Sequence, residues 1–303
     1  MVMDTTSSTG RWLSAERATK MFDRLTNLGA TYVELRAMSC DSNVVRLRDG
    51  SMDAAVPAQE LGVTLRVLAD GAWGVHSTTD LDSVYVQGEE TLRVARAVAA
   101  RRPAGEPQVE LAEVPVITDE VVWAPKGDVR DLDLDARLDA MKAVESEGKD
   151  DDRIASVVTG WSDEHLRTEV LTSEGMDRAW SLQRALLHCT VTAREGDRVA
   201  AYRTRHGGEG GTNPILTADL GALGRRGKEA ALRQLTAAAA PSGKLPLIAD
   251  PDLTGVYIHE ALGHPCEADL VAAGDSCLEG RLGQKIGSDI VTVVDDPTLR
   301  GGY

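Results

Sequence analysis

The residues best suited to chemistry in this chain lie in the stretch YIHEALGHPCEAD, Tyr257 to Asp269. His259 is followed at once by Glu260, and His264 comes five residues after His259, in a chain with only 6 histidines. Two imidazoles can bind a divalent cation, and an adjacent carboxylate suits a general base that takes a proton from an attacking water. The pattern therefore predicts metal-assisted hydrolysis, most simply of a peptide bond.

The spacing of the two histidines differs from that of a regular metal-binding helix. Residues five apart on an α-helix are separated by about 140° of rotation, so they do not share a face. Gly263 precedes His264 and Pro265 follows it, a context that favours an extended conformation at His264. We expect the helix to end at Gly263, or to loosen there through a wide turn, so that both imidazoles reach one cation.

The remaining polar residues of the stretch leave several roles open. Catalytic zinc usually takes three protein ligands, so the two histidines leave one ligand unassigned. Glu267 and Asp269 are candidates for orienting a histidine ligand, and a capping or surface role fits them equally well. We interpret Cys266 as a small buried thiol, with a ligand or a nucleophile as the alternatives. The motif also has a structural reading, in which its histidines are core residues and Glu260 is a solvated charge.

Composition limits the compartment and the partners of the protein. The 303 residues include 33 basic and 48 acidic side chains, which give a net charge of −15. Such a charge repels a phosphate backbone, so we expect no nucleic-acid partner. The 4 cysteines are widely scattered, as is typical of a reducing cytosol. No apolar run approaches the roughly 18 residues of a membrane span, so we expect a cytoplasmic protein with no membrane partner.

Periodicity and chain breaks predict an α+β protein with three regions. Residues 1–105 are expected to form an amino-terminal α+β domain in the order helix, hairpins, helix, with hairpin turns at Asp49-Gly50 and Asp70-Gly71. Residues 115–235 are expected to form a central antiparallel-sheet domain. Residues 243–303 are expected to begin a β-rich catalytic domain, in which a buried strand at 244–253 precedes a helix capped by Asp252 or Thr254.

The stretch HEALGHPCEAD resembles the motif of the TldD/PmbA family of metallopeptidases. The segments GVTLRVLADGAWGVHST and LTSEG extend the resemblance over nearly the whole chain. The resemblance implies that His259 and His264 bind one divalent metal ion, Zn²⁺, and that Glu260 is the catalytic base. It also implies cleavage of unfolded or modified peptides by a heterodimer, in which a motif-bearing subunit pairs with a related subunit that lacks the motif. A homo-oligomer is the alternative assembly.

The carboxy-terminal end departs from the pattern of the family. The third metal ligand of the family is a cysteine near the end of a longer chain, and Cys266 and Cys277 lie at the wrong positions to replace it. We therefore expect a truncated product that is nearly inactive alone. The alternative function is that of a non-catalytic assembly or binding subunit, or an inactive truncated relative.

Overall fold

The structure is a computed structural model that describes residues 10–105, 107–122, 125–296 and 298–299. The described chain divides into two compact units, the first ending at residue 237 and the second beginning at residue 238. The first unit is a mixed α/β structure built on one seven-stranded, mostly antiparallel sheet. The second unit, over its described residues, consists of helices and turns. The expected mixture of helices with an antiparallel sheet is confirmed.

The sheet of the first unit has the strand order β3-β2-β1-β5-β6-β4, and β7 pairs with the remaining part of β6. All strand pairs are antiparallel except β4 with β6, which are parallel. The strands are β1 Tyr32–Arg48, β2 Ser51–Ala69, β3 Ala72–Thr78, β4 Thr118–Val122, β5 Ile154–Thr172, β6 Asp177–Glu195 and β7 Arg198–Glu209.

The two predicted Asp-Gly turns connect β1 to β2 and β2 to β3. Asp49 and Gly50 have φ angles of 54° and 83°, and Asp70 and Gly71 have φ angles of 51° and 70°. Positive φ at both central residues is the requirement of the tight hairpin turn that matches the twist of two antiparallel strands. The two predicted hairpins are therefore present, and they share β2 as their common strand.

Helices cover one face of the sheet at both of its ends. At one end, α1 is capped by Ser14, whose hydroxyl accepts from the Arg17 N–H, and it ends before Gly29 at φ 96°, as predicted. At the other end, α3 and α5 approach so closely that a Cβ on Gly224 would lie 2.1 Å from the Val144 carbonyl oxygen. The helices of this unit are α1 Ala15–Asn27, α2 Gly88–Ala99, α3 Leu134–Gly148, α4 Asn213–Leu216 and α5 Leu220–Leu235.

Two separate apolar cores lie under these helices. Val33, Leu35 and Ala37 of β1 belong to the first core, and Val45 and Leu47 of the same strand belong to the second. All five are odd-numbered residues of one strand, so both cores lie on the same face of the sheet. The predicted division of this unit into domains 1–105 and 115–235 stays a prediction, since one sheet runs through both regions.

A polar belt, defined as Asp163, His165, Arg167 and Glu169 of β5, separates the two cores. All four side chains are buried. Asp163 accepts hydrogen bonds from Arg137 Nε at 2.7 Å and from the Trp161 indole N–H at 2.6 Å. These bonds link helix α3 to the centre of the sheet.

The second unit differs from its prediction at the amino-terminal side of the motif. Helix α6, Pro251–Ile258, is capped by Asp250, which accepts from the Leu253 N–H at 2.9 Å, so the predicted caps at Asp252 and Thr254 are wrong. The predicted buried strand at 244–253 is also wrong, because residues 244–250 form no strand and Ile248 is 98% exposed. A strand needs a partner with free hydrogen-bonding groups, and Pro246 removes one donor from this segment.

Three further helical segments complete this unit. They are a π-helical turn His259–Gly263, a 3₁₀ turn His264–Cys266, and helix α7 Ala268–Ala273. Over the described ranges of both units, no helix has the length and apolar character needed to cross a membrane.

Candidate metal centre

A π-helical turn brings the two histidines of the motif together. The backbone N–H of His264 donates to the carbonyl oxygen of His259, which is the i→i+5 bond that defines this turn. Because the hydrogen bond joins residues five apart, their side chains lie one above the other, as residues four apart do on an α-helix. The imidazole centroids are 4.5 Å apart, and the ring planes are inclined by 68°.

The conformation of His264 corrects one of the two expected routes to this geometry. His264 has φ −57° and ψ −47°, which is right-handed helical, so the expected shift to an extended conformation is wrong. The chain instead loosens into the wide turn and then tightens into the 3₁₀ turn that contains Pro265. A proline is tolerated there because the N–H groups in the first turn of a helix have no acceptor within the helix, so the missing N–H of proline costs no hydrogen bond.

Glu260 completes a group of three candidate donors with the two histidines. One ligand atom from each residue lies within 4.8 Å of the others, and no second group of this kind occurs in the described ranges. Glu260 Oε2 is 3.6 Å from His264 Nε2, and the Glu260 side chain is 62% exposed. The carboxylate is therefore close to the imidazoles and open to solvent.

Glu267 orients the second histidine. His264 Nδ1 lies 2.8 Å from Glu267 Oε1, so an Nδ1–H donor leaves the lone pair of Nε2 available. Such a carboxylate partner is the usual support of a histidine that binds a metal. Glu267 follows His264 by three residues, a spacing that brings side chains together in helical segments and that could have favoured this role from sequence.

Asp269 and Cys266 of the motif take no part in this group. Asp269 lies in the first turn of α7, and the structure gives it no hydrogen bond to either histidine. Cys266 is exposed, so the expectation of a buried thiol is wrong. It is not among the three grouped donors.

The donor set fits one divalent cation. Ligands at about 2.0 to 2.2 Å from zinc lie at most about 4.4 Å from each other, so a small side-chain adjustment closes a group that spans 4.8 Å. Two imidazole nitrogens suit Zn²⁺ in particular, and the Glu260 carboxylate, 3.6 Å from His264 Nε2, lies where it can take a proton from a water beside the ion. Of the two histidines, His264 has its ring orientation already fixed by Glu267.

We expect zinc affinity to fall as the pH is lowered through the pKa of His264. The Glu267 hydrogen bond, followed by the Glu267 charge, raises the pKa of His264 above its usual value, and a protonated imidazole cannot bind a metal. Glu267→Gln should lower this pKa in an NMR titration of the metal-free chain. Glu260→Gln is the matched control and should lower it less, because Glu260 raises the pKa of His264 by its charge alone and forms no hydrogen bond with the ring. A His264 pKa that is unchanged in Glu267→Gln would contradict this account.

Comparison with known protein families covers most of the chain. The description "PmbA/TldA metallopeptidase domain 1" matches residues 33–101, the central domain of the same family matches residues 127–235, and its C-terminal domain matches residues 242–303. The matched C-terminal region contains the whole histidine motif.

Individual relatives agree with this match. A metalloprotease of Methanothermobacter thermautotrophicus is 33% identical over 277 residues, which cover 89% of this chain and 58% of the relative. A zinc metalloprotease TldD homolog of Saccharolobus solfataricus is 22% identical, with coverages of 92% and 60%. The chain thus spans a little under two thirds of the length of these curated relatives.

Solved structures share the fold. A candidate modulator of DNA gyrase from Bacteroides thetaiotaomicron superposes with a TM-score of 0.69 at 22% identity, over 90% of this chain and 62% of that one. TldE from Thermococcus kodakarensis superposes with a TM-score of 0.65 at 15% identity, over 94% and 63%. The three matched domains, taken together with the relatives, show that the chain belongs to the PmbA/TldD family of metallopeptidases.

Proposed function

We propose that the chain is the metal-binding subunit of a peptide hydrolase that acts on unfolded or modified peptides. His259 and His264 would hold one divalent cation, Zn²⁺, and Glu260 would act as the general base. The π-helical turn carries this proposal, because it places two imidazoles and a carboxylate within reach of one ion. When bound, the cation would polarise the scissile carbonyl and make a water molecule more acidic.

The side chains around the ion have separable tasks in this proposal. Glu260 accepts the proton of the attacking water and later delivers it to the leaving amine, which needs a carboxylate that substrate can reach. Its 62% exposure meets that need. Glu267 holds the His264 ring in one orientation by accepting from Nδ1. Glu260 therefore carries the transferred proton, and Glu267 keeps the orientation of the His264 ring constant.

A related subunit that lacks the motif is the proposed partner, in a cytoplasmic heterodimer, and a homo-oligomer is the alternative. Large apolar side chains are exposed on the second unit, and extensive exposed apolar surface commonly marks a protein contact. The most exposed of them are Leu247, Ile248, Leu282, Ile290, Val294 and Leu299. The net charge of −15 argues against a nucleic-acid partner.

A second candidate function, a non-catalytic assembly or binding subunit, is favoured by the exposure of the motif. His259 and Glu260 are both exposed. Hydrolytic sites exclude bulk water, which strengthens the electrostatic interactions within them. The two functions differ in whether Glu260 affects turnover.

The deciding experiment measures bound zinc and peptide hydrolysis on the purified chain, alone and mixed with a family subunit that lacks the motif. A fluorogenic unfolded peptide is the substrate. Glu260→Gln should keep its zinc and lose on the order of 10²- to 10⁴-fold in rate, the usual contribution of a general base. Zinc binding without hydrolysis, both by the chain alone and by the mixture, would favour the binding subunit. Hydrolysis that survives in Glu260→Gln would overturn the role of Glu260.

A further inference from the structure

The first unit contains a cleft of about 760 Å³ at the point where β3 leaves the sheet. Its walls include residues 59–64 of β2 and residues 77–79 at the end of β3, and its floor includes Met38 and Cys40 of β1. Clefts of roughly 300 to 1,000 Å³ are the usual size for small ligands.

The outer edge of β2 is unpaired along this cleft. β2 pairs with β1 over its whole length, whereas β3 pairs only with Val63–Ala69. The two-residue turn at Asp70-Gly71 makes Ala69 and Ala72 a hydrogen-bonded pair, and such pairs alternate along an antiparallel ladder. Every second residue before Ala69 therefore directs its N–H and C=O towards the β3 side.

The alternation continues past the end of β3 to Leu61 and Gln59. Their backbone groups point to the open edge, and the described chain places no pairing strand opposite them. Pro57 is the next residue in the same orientation and has no N–H to offer. The open edge is thus two hydrogen-bonding positions long, and it is bounded by the end of β3 on one side and by Pro57 on the other.

Gly62 shapes the floor of the cleft between these limits. Gly62 pairs with Met38, and a Cβ on Gly62 would meet only the Thr78 carbonyl oxygen, at an ordinary 3.5 Å. The missing side chain leaves Met38 42% exposed. Burial, followed by the charges of Glu164 and Glu60, raises the pKa of the Cys40 thiol, so this thiol is neutral, and Arg36 and Glu60 add one basic and one acidic side chain to the lining. This arrangement suits one apolar side chain placed over Gly62 and Met38.

We propose that this cleft binds an extended peptide segment, which adds to the β2 edge by pairing with Leu61 and Gln59 and places an apolar side chain over Gly62. Residues 58–62 span roughly 16 Å at the usual strand rise, which is enough for four to five residues of the added strand. The proposal rests on the proposed function for its peptide ligand and assigns that ligand a holding site. A second copy of β2 is a poorer occupant, because Pro57 of each copy would interrupt a longer pairing.

The test removes the unpaired backbone N–H of Gln59 and leaves the hydrogen bonds between β2 and β1 intact. In Gln59→Pro the lost donor faces the edge, as it does at Pro57, so the ladder with β1 keeps its bonds. Ala55→Pro is the matched control, since Ala55 has the same orientation on the far side of Pro57. The probe is a fluorescent, end-blocked hexapeptide of alternating threonine and leucine, measured by anisotropy without added metal. A second peptide is N-methylated at alternate amides.

We expect the hexapeptide to bind the wild-type chain and Ala55→Pro equally. We expect it to bind Gln59→Pro at least about tenfold more weakly, and the N-methylated peptide to fail. Amide hydrogen exchange at Leu61 and Gln59 of the wild-type chain should slow on binding. This measurement tests the proposal even if Gln59→Pro folds poorly.

Three outcomes would overturn the proposal. They are no binding at millimolar peptide, equal binding by both proline variants, and unchanged exchange at Leu61 and Gln59. Sedimentation that shows a dimer lost only in Gln59→Pro would assign the edge to a second copy. Because no metal is added, a failed hydrolysis assay and a failed binding assay remain distinguishable.

Discussion

Replacing His259 by alanine is expected to lower the affinity of the chain for Zn²⁺ by on the order of 100-fold or more. Loss of an outer hydrogen-bond partner of a metal ligand typically costs about 10- to 100-fold, and loss of the ligand itself removes a coordination bond as well. His259→Ala leaves His264 as the one remaining histidine of the motif, so the ion is held more weakly. Competition with a chromogenic chelator at constant pH measures the change.

Two further variants make this result specific to the motif. His206→Ala removes an exposed histidine of the first unit, whose Nε2 lies 3.0 Å from the Pro214 carbonyl oxygen, and should leave zinc affinity unchanged. Glu267→Gln weakens the support of His264 and should fall between the wild type and His259→Ala. Equal affinities for His206→Ala and His259→Ala would remove the basis for the metal centre.

Replacing Asp163 by alanine is expected to lower the free energy of unfolding by about 3 to 5 kcal/mol, the usual cost of breaking a buried ion pair from one side. The Asp163 side chain is fully buried, and its Arg137 partner is 6% exposed. The alanine variant leaves the guanidinium of Arg137 and the indole N–H of Trp161 without this acceptor. Urea unfolding at neutral pH measures the loss.

The control for this experiment breaks an exposed ion pair instead. Glu16→Ala removes the partner of Lys20 on the surface of α1, where both side chains are more than 70% exposed, and should change stability by less than about 1 kcal/mol. The double variant with Asp163→Leu and Arg137→Met should recover much of the loss, because it removes both charges together. A loss below about 1 kcal/mol in Asp163→Ala would show that the polar belt does not hold α3 to the sheet.

Local signals in the sequence predicted the local structure of the first unit well. Ser14 and Gly29 marked the ends of α1, and the Asp-Gly pairs at residues 49–50 and 70–71 marked both hairpin turns. The pairing of β1 with β5 was not predicted, because no local pattern records which distant strand lies alongside another. The apolar run near Ile248 also misled the prediction of a strand, since apolar composition alone does not supply a pairing partner.

The candidate site could be predicted in its residues and only partly in its geometry. The types and the order of His259, Glu260 and His264 indicate a metal-binding group from the sequence alone. The π-helical turn was one of two expected routes, because the proline after His264 disfavours the α conformation without forbidding it. The cleft beside Gly62 was missed, although Pro57 within a strand is a signal of an open sheet edge.

The pairing of β1 with β5 has a consequence for the order in which the protein is made. Residues paired between these strands are separated by roughly 110 to 140 positions, so at about 5 to 20 residues per second β1 waits roughly 5 to 30 seconds for its partner. During that interval the β5 side of β1 is an open strand edge on the nascent chain, and open edges invite pairing with other chains. Closing such a long loop is also intrinsically slow. The nascent chain, before β5 is made, is therefore the stage at which this edge of β1 is open to pairing with other chains.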